Sequence, residues 1–206
     1  MTQKTPLDKW SNRAIKRIFD IVVSTVALVG IVLLLPYIAY KIKRESRGPV
    51  FFRQKRTGKD GKTFWCYKFR SMYLNDEADL TQATEDDPRK FPFGAYMRRH
   101  NVDELPQYWN VLKGDMSVVG PRPHMLYHTE IYSQQIGDYM LRHTVKPGIT
   151  GWAQITGFCG ETKDLADMEE RVRRDLWYIM NWSLCLDIHI VQSTIKSILS
   201  RRVLSN

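Results

Sequence analysis

The sequence predicts an α+β, mostly helical monotopic membrane protein, with an N-terminal re-entrant membrane helix and a small β-hairpin or sheet. Three observations lead there. An uncharged run of twenty residues, Ile21 to Tyr40, has basic residues on both sides. Two stretches rich in aromatic and β-branched residues flank Lys59-Asp60-Gly61, which reads as a hairpin. Helical periodicity accounts for most of the remaining chain.

The apolar run, IVVSTVALVGIVLLLPYIAY, is long enough as a helix to cross a hydrocarbon core of about 30 Å. It exceeds the apolar core of a signal peptide, and no small-residue cleavage site follows it. A buried core helix is the soluble alternative, but a small domain rarely wraps a helix that is apolar all round. The flanks decide between spanning and turning back. Lys9, Arg13, Lys16 and Arg17 precede the run, and Lys41, Lys43, Arg44 and Arg47 follow it. A spanning helix concentrates Lys and Arg on its cytoplasmic side, so both ends read as cytoplasmic. Pro36 and Gly30 supply weak points for a bend, and Ser24 or Thr25 is expected to satisfy the freed carbonyl. Asp20 is expected to pair with Arg17. Residues 1–47 thus form an anchoring segment and residues 48–206 a second, folded part.

In that second part the hairpin carries Arg53, Lys55, Arg56, Lys59, Lys62, Lys68 and Arg70. These suit either solvent or contact with phosphate and headgroups. GKDGKT resembles a phosphate loop only briefly: Arg56 stands where the spacing needs glycine. Asn75 to Asp87 holds six acids and no base, which reads as a solvated loop without chemistry. Helices are expected over FGAYMRRH, ELPQYWNVLKG, roughly His124 to Arg142, DLADMEERVRRDLWYIM and SLCLDIHIVQSTIKSIL, with a turn and short strand in VKPGITGWAQITG. Trp177, Tyr178 and Trp182 suit an interfacial foot or core packing. The five histidines are scattered and read as surface or packing residues, because His124 and His128 have no third metal ligand nearby.

A chain of 206 residues with a formal charge of +9 favours an anionic partner. Nucleic acid is excluded as a partner, since the charge surrounds a membrane segment and no reader motif is present. Three cysteines, Cys66, Cys159 and Cys185, form no metal or disulfide spacing and fit a reducing compartment.

The chemistry concentrates between His100 and Pro123. Asp103 and Glu104 stand at an expected helix start, with Pro106 tolerated in the first turn. One role for them is local, as N-cap and dipole complement. The other is phosphate chemistry: a helix start offers free N–H groups to a phosphate, and Arg98 and Arg122 add guanidinium forks, the latter held between Pro121 and Pro123. Lys146 adds a further charge. A carboxylate attacking a phosphate meets repulsion on the order of 1–4 kcal/mol per charge pair at 4 Å, so arginines and a divalent ion such as Mg²⁺ would be needed.

These residues carry a resemblance. KRIFDIVVS, GPVFFRQKRTG, WCYKFRSM, DPR, RRHNVDELPQYWNVLKGDMSVVGPRP, VKPGITGWAQITG and DLWYIMNWSL occur in this order, and together they resemble the bacterial sugar transferases, monotopic phosphoglycosyl transferases that begin lipid-linked glycan assembly. KPGITGWAQ with the GET at Gly160 to Thr162 is similar to the undecaprenyl-phosphate glucose or galactose phosphotransferase branch. The resemblance implies transfer of a sugar 1-phosphate from a UDP-sugar to polyprenyl (undecaprenyl) phosphate with release of UMP. That is the first membrane step of exopolysaccharide, O-antigen or capsule assembly. It implies Asp103 as the nucleophile of a covalent aspartyl-phosphosugar intermediate and Glu104 as its assistant, at the metal or as a proton acceptor. Arg98, Arg122, Lys146 and Lys68 would bind phosphate, with Mg²⁺ held by Asp103 and Glu104. It also implies a re-entrant helix in the bacterial inner (cytoplasmic) membrane, with the catalytic part on the cytoplasmic face. Family members often place Ser before the proline of the bend, where this chain has Leu35, and some carry Arg at the position of Lys146. Many of the hexose branch have further N-terminal helices, so a short form or an excised catalytic part is expected. The competing reading is a non-catalytic scaffold module on anionic lipid.

Accessibility labelling of single cysteines placed near positions 5 and 46 should mark both from the same side of the membrane. Labelling from opposite sides would establish a true span.

Overall fold

The computed structural model describes residues 4–75, 84, 87–158 and 164–203, the side chains of 201–203 aside. Cys159, the GET triplet and most of the acidic stretch lie outside the described residues. The elements run α1 (Trp10–Glu45), β1 (Phe51–Thr57), β2 (Thr63–Phe69), α2 (Pro92–Arg99), α3 (Gln107–Lys113), β3 (Ser117–Val119), α4 (Leu126–Gln135), β4 (Gly148–Thr150), α5 (Trp152–Ile155), α6 (Leu165–Met180) and α7 (Leu184–Val203). The α+β class and the predominance of helix follow the sequence expectation. β1 and β2 pair antiparallel, with Gln54 opposite Cys66 and Phe52 opposite Lys68. β3 and β4 pair in parallel.

α1 is one helix of 36 residues, and Pro36 lies inside it. The bend expected there does not interrupt the helix. Leu35 and Ile38, on either side of the proline, both pack into the apolar cluster with Ile31, Ile42, Phe69, Phe91 and Met97, which offsets the single lost hydrogen bond. Lys16, Asp20, Ser24, Ile31, Ile38 and Ile42 form its buried stripe, spaced to share one helix face. The other faces are bare: Leu33 is 77% and Val26 71% exposed. A soluble core helix would hide such residues, whereas α1 is long and apolar enough to cross a membrane, and an exposed apolar surface this continuous suits lipid.

Both ends of α1 are fastened to the same folded body. Near its start, Lys16 Nζ donates to Asp187 Oδ2 (2.7 Å), Tyr178 Oη (3.0 Å) and the Val119 carbonyl (3.0 Å). The Asp187 carboxylate also accepts from Tyr178 Oη and Trp182 Nε1. Beyond its end, Arg70 donates to the Ser46 carbonyl at 2.7 Å and to the Ser46 hydroxyl. The expected Asp20–Arg17 pair is replaced by longer connections. Asp20 accepts from the Ser117 hydroxyl and the Val118 N–H, both at 2.9 Å. Arg17 instead caps the C-terminal carbonyls of α3 at Val111 and Leu112, where a cation meets the negative pole of the helix. Ser24, expected to satisfy a bend, is buried, and its hydroxyl has no hydrogen-bond partner among the described residues.

The remaining departures from the expected elements are local. The helix expected over roughly His124 to Arg142 stops at Gln135. Ile136 takes an extended conformation, and a 3₁₀ segment follows over Tyr139–Thr144, because Gly137-Asp138 is a turn signal. β3 escapes the sequence reading: its three residues are all buried, so no alternation marks it. VKPGITGWAQITG holds β4, as expected, and also the short helix α5. Tyr178 and Trp182 belong to the core, while Trp177 is exposed and stacks on Trp152 at 4.7 Å.

Asp187→Ala would leave Lys16 buried without its carboxylate. A loss of about 3–5 kcal/mol is expected, read as a lower midpoint in thermal or denaturant unfolding, whereas Arg173→Ala on the exposed face of α6 should change little.

Candidate active site

The site is assembled by α2, the turn after it, β2 and the Pro121–Pro123 segment. α2 begins at Pro92, whose fixed φ suits a first helical position, and the Glu45 carboxylate accepts the Phe93 N–H at 2.6 Å. Gly94 lets the helix lie directly on the chain leaving β2, because a Cβ there would sit 2.0 Å from the Ser71 carbonyl oxygen. Asn101 then takes a left-handed conformation (φ 55°), which Asn tolerates better than most residues. This reversal inserts a separate 3₁₀ turn, Val102–Glu104, before α3.

The turn overrides the capping expectation. Asp103 lies within it, α3 starts only after Pro106, and neither start has a side-chain cap. Instead, Asp103 and Glu104 are buried, at 3% and 8% exposure. Buried Asn110 of α3 donates to the Trp65 carbonyl and accepts from the Tyr67 N–H. It therefore fixes β2 against α3 and brings the next residue, Lys68, to Glu104.

Lys68 Nζ lies 2.7 Å from Glu104 Oε1. Arg122 grips the same carboxylate with both terminal nitrogens, Nη2 to Oε1 at 2.7 Å and Nη1 to Oε2 at 3.1 Å, the paired geometry that favours arginine. Asp103 has no hydrogen bond to any described residue. The electrostatics differ accordingly. Burial alone would raise Glu104, but Arg122 and Lys68 outweigh it and hold Glu104 well below the usual carboxylate range. Burial pushes Asp103 up, and the Glu104 charge adds to this, against the opposing pull of Lys68, Arg98 and Arg122. The Glu104 charge in turn holds Arg122 firmly protonated. Two adjacent carboxyl groups with opposite shifts are suited to different tasks.

Arg98 is half-buried, its charge bears on Asp103, and its guanidinium forms no hydrogen bond or ion pair with a described residue. The structure thus brings Arg98, Asp103, Glu104, Lys68 and Arg122 together. Lys146 is elsewhere. Its ammonium lies beside Gly114 and Arg17, at the far end of α3, where burial and the Arg17 charge lower its pKa.

A supporting layer has little local signature in the sequence. Arg142 donates to Asp175 Oδ2 from Nε (3.1 Å) and Nη2 (2.6 Å), and Nη2 also donates to the Arg122 carbonyl at 2.9 Å. Its Nη1 and the Tyr139 hydroxyl both approach His124 Nδ1, at 2.7 and 2.6 Å. Burial, helped by the Arg142 charge, depresses His124 well below its ordinary range, so the imidazole is neutral. The one available signal is charge on a buried face: Arg171 and Asp175 share the inner side of α6 with Met168 and Val172. The reading of His124 as a packing residue agrees with this placement. Cys66 is buried close to the Lys68, Glu104 and Arg122 charges, and its thiol is pushed up by burial.

Among the described residues no three acidic, histidine or cysteine side chains cluster as a metal site. Mg²⁺ does not require one, since it commonly takes one or two carboxylates together with substrate phosphates and water. A buried carboxylate without a hydrogen bond, Asp103, next to a second one fits that donor set.

Residues 11–201 match the bacterial sugar transferase family. The chain is 54% identical over 185 residues to the UDP-glucose:undecaprenyl-phosphate glucose-1-phosphate transferase of Escherichia coli K12, covering 89% of this chain and 40% of that protein. It is 39% identical over 211 residues to the undecaprenyl-phosphate galactose phosphotransferase of Salmonella typhimurium LT2, covering 95% and 42%. It is 44% identical over 192 residues to the exopolysaccharide production protein PSS of Rhizobium leguminosarum bv. phaseoli, covering 91% and 96%. The chain thus spans less than half the length of the first two relatives and nearly all of the third.

The raised Asp103 has a stability consequence. Its carboxyl binds a proton more tightly in the fold than in the unfolded chain, so ionisation costs stability as pH rises above the ordinary value of 3.8. Asparagine does not ionise. Asp103→Asn should therefore melt higher than the parent near neutral pH, by roughly 2–4 °C for each 1 kcal/mol gained, and the gain should shrink as pH falls toward 3.8. A lower melting temperature at neutral pH would contradict the assigned burial cost.

Proposed function

The chain belongs to the bacterial sugar transferase family, and from that premise we propose that it moves a sugar 1-phosphate from a UDP-sugar, a hexose such as glucose or galactose, to polyprenyl phosphate and releases UMP. The observation that carries this reading is the division within the acidic pair: Glu104 is engaged by both adjacent cations, and Asp103 is buried with no hydrogen bond.

In this reading Asp103 is the nucleophile. One of its carboxylate oxygens attacks the phosphorus that bears the sugar, an aspartyl–phosphorus bond forms, and the bond to the UMP oxygen breaks with its electron pair leaving on UMP. An oxygen of the acceptor phosphate then attacks the same phosphorus and releases the Asp103 carboxylate. A carboxyl with a raised pKa is the more basic nucleophile, provided it is ionised at working pH. Glu104, held low and bound to two cations, is poorly suited to accept a proton. Its role is to hold Lys68 and Arg122 where charge develops on the transferred group. Arg98, whose guanidinium has no hydrogen-bond or ion-pair partner among the described residues, is the cation available to neutralise donor phosphate.

These three cations exceed the two carboxylates by one charge, and a nucleoside diphosphate brings more. Asp103 and Glu104, with donor phosphate oxygens, are the groups that would hold Mg²⁺. The ion would supply electrostatic neutralisation of the transferred phosphoryl group. Lys146, distant from the pair, suits a role in supporting the anchor end of α3 rather than in binding phosphate.

The membrane placement belongs to the same proposal. Residues 1–47 would serve as anchor and 48–206 as catalytic part, with α1 entering one leaflet from the cytoplasmic face of the bacterial inner membrane. The attachment of both α1 ends to one body supports this, since neither flank need cross the bilayer. The acceptor phosphate would then meet Asp103 at headgroup level.

Asp103→Asn should lower UMP release from UDP-glucose and undecaprenyl phosphate by roughly 10³-fold or more, the scale on which loss of a nucleophile is felt, while the protein stays folded. Parental turnover in that variant would remove Asp103 from the chemistry and favour a scaffold role. Glu104→Gln should also reduce turnover, by about 10²-fold, since Lys68 and Arg122 lose their common anchor.

A further inference from the structure

The outward face of α2 is not what water would select. Pro92, Ala95, Tyr96 and Arg99 follow the i, i+3, i+4, i+7 spacing of a single helix face. They line a shallow hollow of about 250 Å³, and Tyr96 is 49% exposed. The inward face is locked: Met97 is fully buried, and Gly94 rests on the Ser71 carbonyl. The apolar stripe therefore cannot turn inward.

The stripe is also continuous with α1 at one end and with the acidic turn at the other. At its start the Phe93 ring meets Tyr37 of the apolar run edge-on, with centroids 6.3 Å apart, and Tyr37 is 60% exposed. Phe93 stacks on Tyr96 at 6.0 Å, and Tyr96 lies 4.4 Å from His100, three residues before Asp103. An aromatic path thus leads from the membrane-suited surface of α1 to the acidic turn. The C-terminal pole of a helix repels an anion, but Arg98 and Arg99 occupy the last turn of α2 and reverse that sign.

We propose that this face of α2 is the acceptor track, on which a single polyisoprenoid chain lies along Tyr37, Phe93 and Tyr96 while its phosphate reaches Arg99 at the end of the same face, next to the turn that carries Asp103. The proposal rests on the phosphotransfer reading and adds where the acceptor binds. A narrow stripe, one helix face wide and ending in cations, matches an amphiphile with one long chain and an anionic head. A diacyl phospholipid carries two chains and matches it less well.

The test separates donor from acceptor chemistry. In nanodiscs, the full chain and its Tyr96→Ser and Ala95→Glu variants are compared for the UMP burst given by UDP-glucose alone and for the KM of undecaprenyl phosphate. Both variants are expected to keep the burst and to raise the acceptor KM, by about tenfold for Tyr96→Ser, since the aromatic ring no longer covers the isoprenoid chain. In parallel, a farnesyl phosphate with a terminal diazirine should crosslink within residues 92–99. That crosslink should be competed by undecaprenyl phosphate and not by phosphatidylglycerol. An unchanged acceptor KM in both variants with a normal burst would overturn the track, as would equal competition by phosphatidylglycerol, which would mark α2 as an ordinary bilayer contact. Absence of any burst in the parent would count against the phosphotransfer reading instead, and the crosslink would still report on the track.

Discussion

One carboxylate organises the site. Glu104 receives Lys68 and both nitrogens of the Arg122 fork, so two half-buried cations are held at fixed positions around a neighbour that takes neither. Without Glu104, Lys68 and Arg122 would be drawn to Asp103 itself, and a carboxylate tied into charge-assisted hydrogen bonds is a weaker nucleophile. The pairing is costly to bury, and Asp103 is costlier still, because its charge is desolvated without a hydrogen bond. Stability set aside at such a position is expected where chemistry requires an available group.

The rest of the molecule serves to hold that arrangement. Arg122 is restrained by flanking prolines, and its carbonyl is bound by Arg142, which is itself locked to Asp175. β2 is pinned to α3 through Asn110. On the far side of the core, Lys16 and Asp187 join α1 to α6 and α7. The same buried connections thus fix α1 relative to the body that carries the acidic turn.

Much of this is legible in the chain. The apolar run declares itself by length and absence of charge, the hairpin by its residue types around Lys59-Asp60-Gly61, and the grouping of Arg98, Asp103, Glu104 and Arg122 by proximity in sequence. What escapes a sequence reading is a set of distant contacts and one backbone reversal. Asp20 finds Ser117 and Val118 rather than Arg17, a choice that only the packing of α1 on β3 makes available. Asn101 in its left-handed conformation separates Asp103 from the helix whose start it is expected to cap. Lys146, just before β4, is carried by the pairing of β4 with β3 to the other end of α3, and nothing local to VKPG indicates which end that is. The Arg142–Asp175 pair joins residues 33 positions apart, and its only local trace is charge on a face of α6 that should be apolar.

The proposed transfer requires that Asp103, and not Glu104, bonds to phosphorus. The most direct measurement is intact-protein and peptide mass spectrometry after brief exposure to UDP-glucose with no acceptor present. A phosphohexose adduct on Asp103, discharged when polyprenyl phosphate is added, is the predicted result. An unmodified protein from a preparation that turns over rapidly with both substrates would contradict it.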